Sequence, residues 1–311
     1  MEIESVFDAM IVETAPFSLC ELAPRGGLEM PHSRMASLHY ILAGSGGLHV
    51  TGHPPVAVQT GNLVLVPSGQ RHSLRGADGA FAAFANCKPA VLGLQHHRPA
   101  QEDGAIPNSG LVVLCAHFNV GLRGAGPVID LLREPLVETG RKSLLTKHAM
   151  DLMITELRQP GLGSLAMIRV LLLQCLIDTL RRRVEAGDEA VAWILALSDR
   201  RLWPALSAIL DAPGAAHTVE SLAERVGMSR SRFAERFQRS FGSSPLQVVR
   251  GLRLQFAARR LLESDAGVAR IAERAGYSSR SHFSQQFAAV FGESPGRYRK
   301  NAARKTGLRT R

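Results

Sequence analysis

Two segments near the end of the 311-residue chain carry one pattern twice. Leu222-Ala223, Gly227-Met228-Ser229, Phe233, Phe237, Phe241-Gly242 and Ser244-Pro245 recur as Ile271-Ala272, Gly276-Tyr277-Ser278, Phe283, Phe287, Phe291-Gly292 and Ser294-Pro295. The aromatic and Ser-Pro positions are offset by 50 residues and the glycines by 49, so the second turn holds one extra residue. Each copy predicts a helix, a turn and a second helix. In the first, an apolar helix from Val219 to Val226 stops at Gly227, the residue suited to a left-handed backbone. Ser229 then caps the next helix. That helix carries Phe233, Phe237 and Phe241 as one stripe, which must face a core. Ser231, Arg232, Glu235, Gln238 and Arg239 fall on its other face, and Ser281, His282, Gln285 and Gln286 on the matching face of the second copy, with Arg280 at the helix entrance.

Between the copies, Ser244 and Pro245 open a third helix with apolar residues at helical spacing to Leu262. Eighteen residues span roughly 27 Å, close to the ~34 Å between successive major-groove faces on one side of B-DNA. One chain could present two readers to adjacent groove turns.

Residues 217 to 300 resemble the DNA-binding domain of the AraC/XylS family of bacterial transcription regulators, above all in the runs G-Y-S-S-R-S-H-F-S-Q-Q-F and F-G-E-S-P-G-R-Y-R. The resemblance implies promoter DNA and RNA polymerase as partners, with activation the usual outcome. It implies base-edge contacts from Ser231, Glu235, Arg280, Ser281 and Gln285. The family more often has arginine at the positions of Glu235 and Gln285, so its operator sequence does not transfer. A glutamate there could accept from cytosine N4, and a glutamine could pair with adenine. Arg232 and Arg239 suit phosphate contacts, and His282 sits on the same face.

Charge divides the chain in the same place. From Asp211 onward there are 19 Lys and Arg against 8 Asp and Glu, net +11, whereas the residues before it are net −1. A basic region joined to a neutral one is the electrostatic footprint of nucleic-acid binding at one end and another task at the other. Cys20, Cys87, Cys115 and Cys175 lie far apart with no C-x-x-C spacing, giving neither a zinc ribbon nor a disulfide framework. The acidic start Met1-Glu2-Ile3-Glu4 predicts no signal peptide. The most apolar run, Leu165 to Leu180, is broken by Arg169, Gln174 and Asp178, so no membrane span is expected and the location is read as cytoplasmic.

After a short helix predicted over Val6 to Val12, the pattern becomes short runs broken by Gly and Pro. Strands are predicted at Leu38–Leu42, Gly47–Thr51, Val56–Gln59, Leu63–Val66, Phe81–Asn86 and Leu111–Phe118. They predict an N-terminal β-barrel or jelly roll. The stretch Gly61 to His72 fits G-x5-P-x-G-x2-H and resembles the second motif of the cupin barrel. The full expectation is an α+β multidomain chain: a cupin-like sensor (1–125), a helical linker and dimerisation region (126–205), an all-α double helix-turn-helix domain (206–303) and a basic tail (304–311).

A cupin enzyme would hold a metal with two closely spaced histidines, a glutamate and the histidine here at His72. In this chain Ser37-Leu38-His39-Tyr40 supplies one histidine, no glutamate follows before Gly47, and His32, His49 and His53 do not restore the spacing. Neither a metal nor another cofactor is expected, and a metal-dependent cupin enzyme fused to a DNA-binding module is the alternative. His39 and His72 are read as pocket-lining or core groups. Cys20, His39 and Cys87 form a second constellation, because the cupin-bearing branch of the family includes sensors that work by cysteine oxidation. A small organic effector in the cupin and a plain core role for the cysteines stand beside that reading.

From Pro127 to Val184 the period is helical. Two long helices there predict a homodimer surface, or else a cover for the barrel's open edge. Pro213-Gly214-Ala215-Ala216 is read as a flexible junction, and Asn301–Arg311 as a disordered basic tail.

Overall fold

The computed structural model describes residues 3–15, 17–77, 84–86, 95–97, 110–122, 125–139 and 143–306. They gather into two compact units: Val12–Asn119 with Glu134–Thr179, and Met1–Ile11 with Val120–Arg133 and Leu180–Lys300.

The strands are β1 (Met10–Thr14), β2 (Ser18–Leu22), β3 (Gly27–Met30), β4 (Ala36–Ala43), β5 (Ser45–Val50), β6 (Val56–Gln59), β7 (Asn62–Val66), β8 (His72–Gly76), β9 (Phe84–Asn86), β10 (Gln95–His97), β11 (Leu111–Leu122), β12 (Ala125–Pro127) and β13 (Leu136–Thr139). They make two sheets. One runs β10-β2-β11-β4-β7-β13 with β1 and β12 also paired to β11, and the other runs β6-β5-β8-β3-β9. Alternate residues from both sheets meet in one core. Leu28, Met30, Leu48, Val50, Val58 and Leu74 face Cys20, Ile41, Val64, Val66, Val113 and Cys115, as the two-residue period of a strand requires.

The expected barrel is not closed. Among the described residues no ladder joins the sheets, and β6 and β13 remain edges. Pro54 and Pro55, just ahead of β6, have no N–H to donate and suit an edge. Two pairings, β10 with β2 and β3 with β9, are parallel. The first helix also differs from expectation: α1 covers Ile3–Asp8 and gives way to β1, where Met10 and Val12 alternate into the core.

Two helices complete this unit, α2 (Leu144–Arg158) and the first part of α3 (Ser164–Glu185). Ser143 caps α2 by accepting from the Thr146 N–H at 3.0 Å. Its hydroxyl and that of Thr146 both donate to Asp178 Oδ2. The carboxylate that interrupts the apolar run therefore ties the two helices together.

The other unit holds α4 (Ala192–Ser198), α5 (Trp203–Asp211), α6 (Val219–Arg225), α7 (Arg230–Phe241), α8 (Pro245–Glu263), α9 (Val268–Arg274), α10 (Arg280–Phe291) and α11 (Pro295–Thr306). α8 begins with a capping box between Ser244 and Gln247, which satisfies two otherwise orphaned donors. α11 runs on to Thr306 where disorder was expected from Asn301; Pro295 opens it and the buried ring of Tyr298 anchors it against Phe287 and Phe291.

Candidate nucleic-acid interface

The two copies fold alike. Phe233, Phe237, Phe283 and Phe287 are fully buried. Their ring centroids lie 5.6 Å apart in the first copy and 5.5 Å in the second, at interplanar angles of 57° and 56°. Phe241 and Phe291 continue each stripe and are buried too. Both stripes end in a glycine with left-handed backbone, Gly242 and Gly292. With the rings inside, the helix geometry turns the opposite face outward.

Ser229 caps α7 by accepting from the Arg232 N–H. In the second copy the cap is Ser279, accepting from the His282 N–H, and not Ser278. The extra residue thus lies between Gly276 and the cap, so each helix starts with the same register to its phenylalanines. At Gly276 φ is +79°, and a Cβ would stand 2.6 Å from the Gly214 carbonyl oxygen, so glycine is required there.

Every residue assigned to this interface from the sequence is exposed: Ser231, Arg232, Glu235 and Arg239 on α7, and Arg280, Ser281, His282 and Gln285 on α10. Arg239 donates to Glu235 at 2.6 Å, one helical turn away. An exposed pair of this kind contributes about 0.3–0.5 kcal/mol, so a phosphate could displace the carboxylate readily.

Other arginines of the basic region are structural. Arg236, on α7 itself, donates through Nε to Asp199 Oδ2 at 2.6 Å. Burial pushes the Asp199 carboxyl upward, but the bonds from Arg236 and the Arg201 N–H outweigh it and the group lies below its ordinary value. Arg253 donates to the carbonyls of Pro213 at 3.0 Å and Ala215 at 2.7 Å. The segment read as a flexible junction is therefore clasped to α8, a correction that follows from the two carbonyls left open by its lack of secondary structure. Arg259 pairs with the buried Asp130, and Arg299 donates to the carbonyls of Leu261 and Ala266. Sequence reasoning missed these ties because each partner lies more than 30 residues away.

Cys20, His39 and His72, the described residues among those assigned to sensing, are deeply buried. His39 on β4 and His72 on β8 approach through their Nε2 atoms at 2.8 Å. His72 Nδ1 faces the Gln70 carbonyl at 3.1 Å. A carbonyl only accepts, so His72 carries its proton on Nδ1 and its Nε2 accepts from His39. His39 Nδ1 is then bare and accepts from the thiol of Cys115, 3.1 Å away. Burial, then His72 and His117, hold His39 well below the usual imidazole range, consistent with a neutral ring. Cys115 was not among the residues singled out from the sequence. The signal is the pairing of β4 with β11, which sets it directly opposite His39. Cys20 is buried opposite Val113 on the neighbouring strand, and Cys87 lies outside the described residues.

This pair does not suit a cupin metal. The two ring nitrogens face one another, Cys115 meets the far side of His39, and no group of three His, Cys, Asp or Glu gathers to hold an ion among the described residues. No helix among them is long and apolar enough to cross a membrane.

Residues 222–301 match the helix-turn-helix domain family and residues 3–185 match the cupin family. The chain is 29% identical over 273 residues to the HTH-type transcriptional regulator AlkR of Acinetobacter baylyi, covering 85% of this chain and 87% of that one. It is 34% identical over 188 residues to an AraC-like transcription regulator of Streptomyces lividans, 59% of this chain and 62% of that one. The chain belongs to the AraC-type regulators. A third relative, the RCS-specific HTH-type transcriptional activator RclR of Escherichia coli, is 44% identical over 99 residues, 32% of this chain and 35% of that one. An AraC-type regulator binds DNA and regulates transcription; in this one the cupin match spans more than half of the chain.

Proposed function

We propose that this regulator reads duplex DNA through both copies of its repeat, as a cytoplasmic homodimer, and acts as an activator in contact with RNA polymerase. The observation that carries the reading is the recurrence of one geometry: buried rings, a serine cap and an exposed polar face, twice. Ser231 and Glu235, then Arg280, Ser281 and Gln285, read base edges. Arg232, Arg239 and His282 hold phosphates. Exposed apolar side chains on α2 and α3 support the dimer. Leu144 is 85% exposed, and Leu152, Leu165, Met167 and Val170 are each more than 40% exposed, which leaves a face for a second copy to cover.

The cupin supplies the signal. A small-molecule effector or an oxidant would favour one arrangement of the DNA-binding helices over another. The burial of Cys20 and Cys115 supports the effector, because thiols closed to solvent react slowly. We read no catalytic role here; the enzyme alternative requires stoichiometric metal and turnover lost in His72→Ala.

The test is selection of bound DNA fragments with the purified protein. Arg280→Ala should change base preference, whereas Arg239→Ala should weaken binding evenly across sequences and lower the salt slope by about one. Equal losses on every sequence from both variants would sink the assignment.

A further inference from the structure

The two copies of the repeat are joined by more than the helix between them. The core of the second copy gathers side chains from α8, α9, α10 and α11, and among the described residues it takes none from α6 or α7. The first copy rests on the same α8 through α7. Apolar packing is non-directional, so it seats each copy on α8 without fixing how far one is rolled about that helix against the other. A contact away from the helix axis does fix it.

Residues 212–216, between α5 and α6, supply that contact. This strap leads into the first copy but lies against the turn of the second. A Cβ at Gly214 would stand 1.9 Å from the Arg274 carbonyl oxygen. One at Gly276 would stand 2.6 Å from the Gly214 carbonyl oxygen and 2.9 Å from the Arg253 guanidinium carbon. Backbone thus meets backbone with no side chain between. Arg253, near the middle of α8, closes the arrangement from the helix side. Its Nε and Nη2 reach two carbonyls of the strap, Pro213 at 3.0 Å and Ala215 at 2.7 Å. The guanidinium is a planar fork with donors in fixed directions, so holding both carbonyls at once fixes the orientation of the strap as well as its distance.

We propose that Arg253 is a positioning residue that sets spacing specificity: by tying the strap to α8 beside the second turn, it fixes the angle between the two readers and so the number of base pairs they accept between half-sites. Arg253 touches no DNA in this role and acts through α7 and α10. The proposal rests on the two-reader reading above. One added base pair moves a half-site by about 3.4 Å along the duplex and by about 34° around it, more than a hydrogen-bonded tie can follow.

The test uses the full chain and a duplex selected by it, alongside the same duplex with one base pair inserted between the half-sites. Wild type should bind the lengthened duplex about tenfold more weakly, as for a mismatched base pair. In Arg253→Met the two duplexes should bind within about threefold of each other. Arg253→Lys keeps the charge without the fork and should discriminate no better. Gly214→Ala reaches the same contact from the other side: its φ is not positive, so alanine is opposed by space alone, and the strap must lift from the second turn. That variant should lose discrimination too, with Arg253 intact, and far-UV circular dichroism checks that each variant is folded. Wild type indifferent to the insertion, equal losses on both duplexes in Arg253→Met, discrimination retained in Gly214→Ala, or discrimination restored by lysine would each overturn the proposal. Hydroxyl-radical footprints separate this from the reading beneath it. Protection of a single half-site by wild type would sink the two-reader reading and the proposal with it; protection of both, with any failure above, sinks the proposal alone.

Discussion

His39 and His72 share a single proton between facing Nε2 atoms 2.8 Å apart, and a backbone carbonyl at Gln70 decides which ring donates. Because burial holds His39 well below the usual imidazole range in the folded chain, the unfolded chain binds a proton first as pH falls through about 6.5. Stability contributed by the neutral pair is present above that pH and is lost on acidification towards the folded value, at up to about 1.4 kcal/mol per pH unit. Urea denaturation of the full chain between pH 7.5 and 5 should show this loss, and His39→Gln should flatten it. An equal slope in the variant would contradict the assignment of His39 as a neutral ring held below its ordinary range.

Three described cysteines are closed to solvent, and burial followed by the charge of Asp178 pushes the Cys175 thiol up to about 12. In a Cys87→Ser variant, a thiol reagent at pH 8 should therefore react with the native protein only at the rate of unfolding. Rapid labelling of Cys20 or Cys115 would reopen oxidation as the signal.

Asp130 is buried against Arg259 on α8. Removing one partner of such a pair leaves an uncompensated charge and costs about 3–5 kcal/mol. Asp130→Ala should lower the unfolding midpoint strongly, and the double variant Asp130→Ala with Arg259→Met should recover much of the loss. Additive losses would show that the two residues act independently.

The serine that caps α10 can be told from its neighbour by substitution. Ser279→Ala should cost about 1 kcal/mol, whereas Ser278→Ala should fall within about 0.5 kcal/mol of wild type. The reverse order, read from denaturation midpoints, would place the extra turn residue after the cap.

Much of the DNA-binding half was legible in the sequence because its determinants are local. The Phe233 and Phe283 stripes follow helical spacing, and Ser229, Ser244 and Gly242 act within one turn of where they stand. The sensing half was harder. Its strands were mostly visible, but closure of the barrel depends on ladders between distant edges, and the predicted closure failed at β6 and β13. His39 was singled out with Cys20, yet the thiol beside it is Cys115, 76 residues away and fixed by strand register. Arg236 was equally hidden: periodicity sets it near the buried stripe of α7, but nothing local indicates Asp199.

The two halves of the repeat differ by a residue placed where a turn becomes a helix. That residue stands ahead of the Ser279 cap and outside the helix, so the distance in sequence from cap to first phenylalanine is the same in both copies. The lengths of chain that join the first helix to the second can therefore drift separately in the two copies, while the capped helices that bear the polar faces stay interchangeable in their seating on the core.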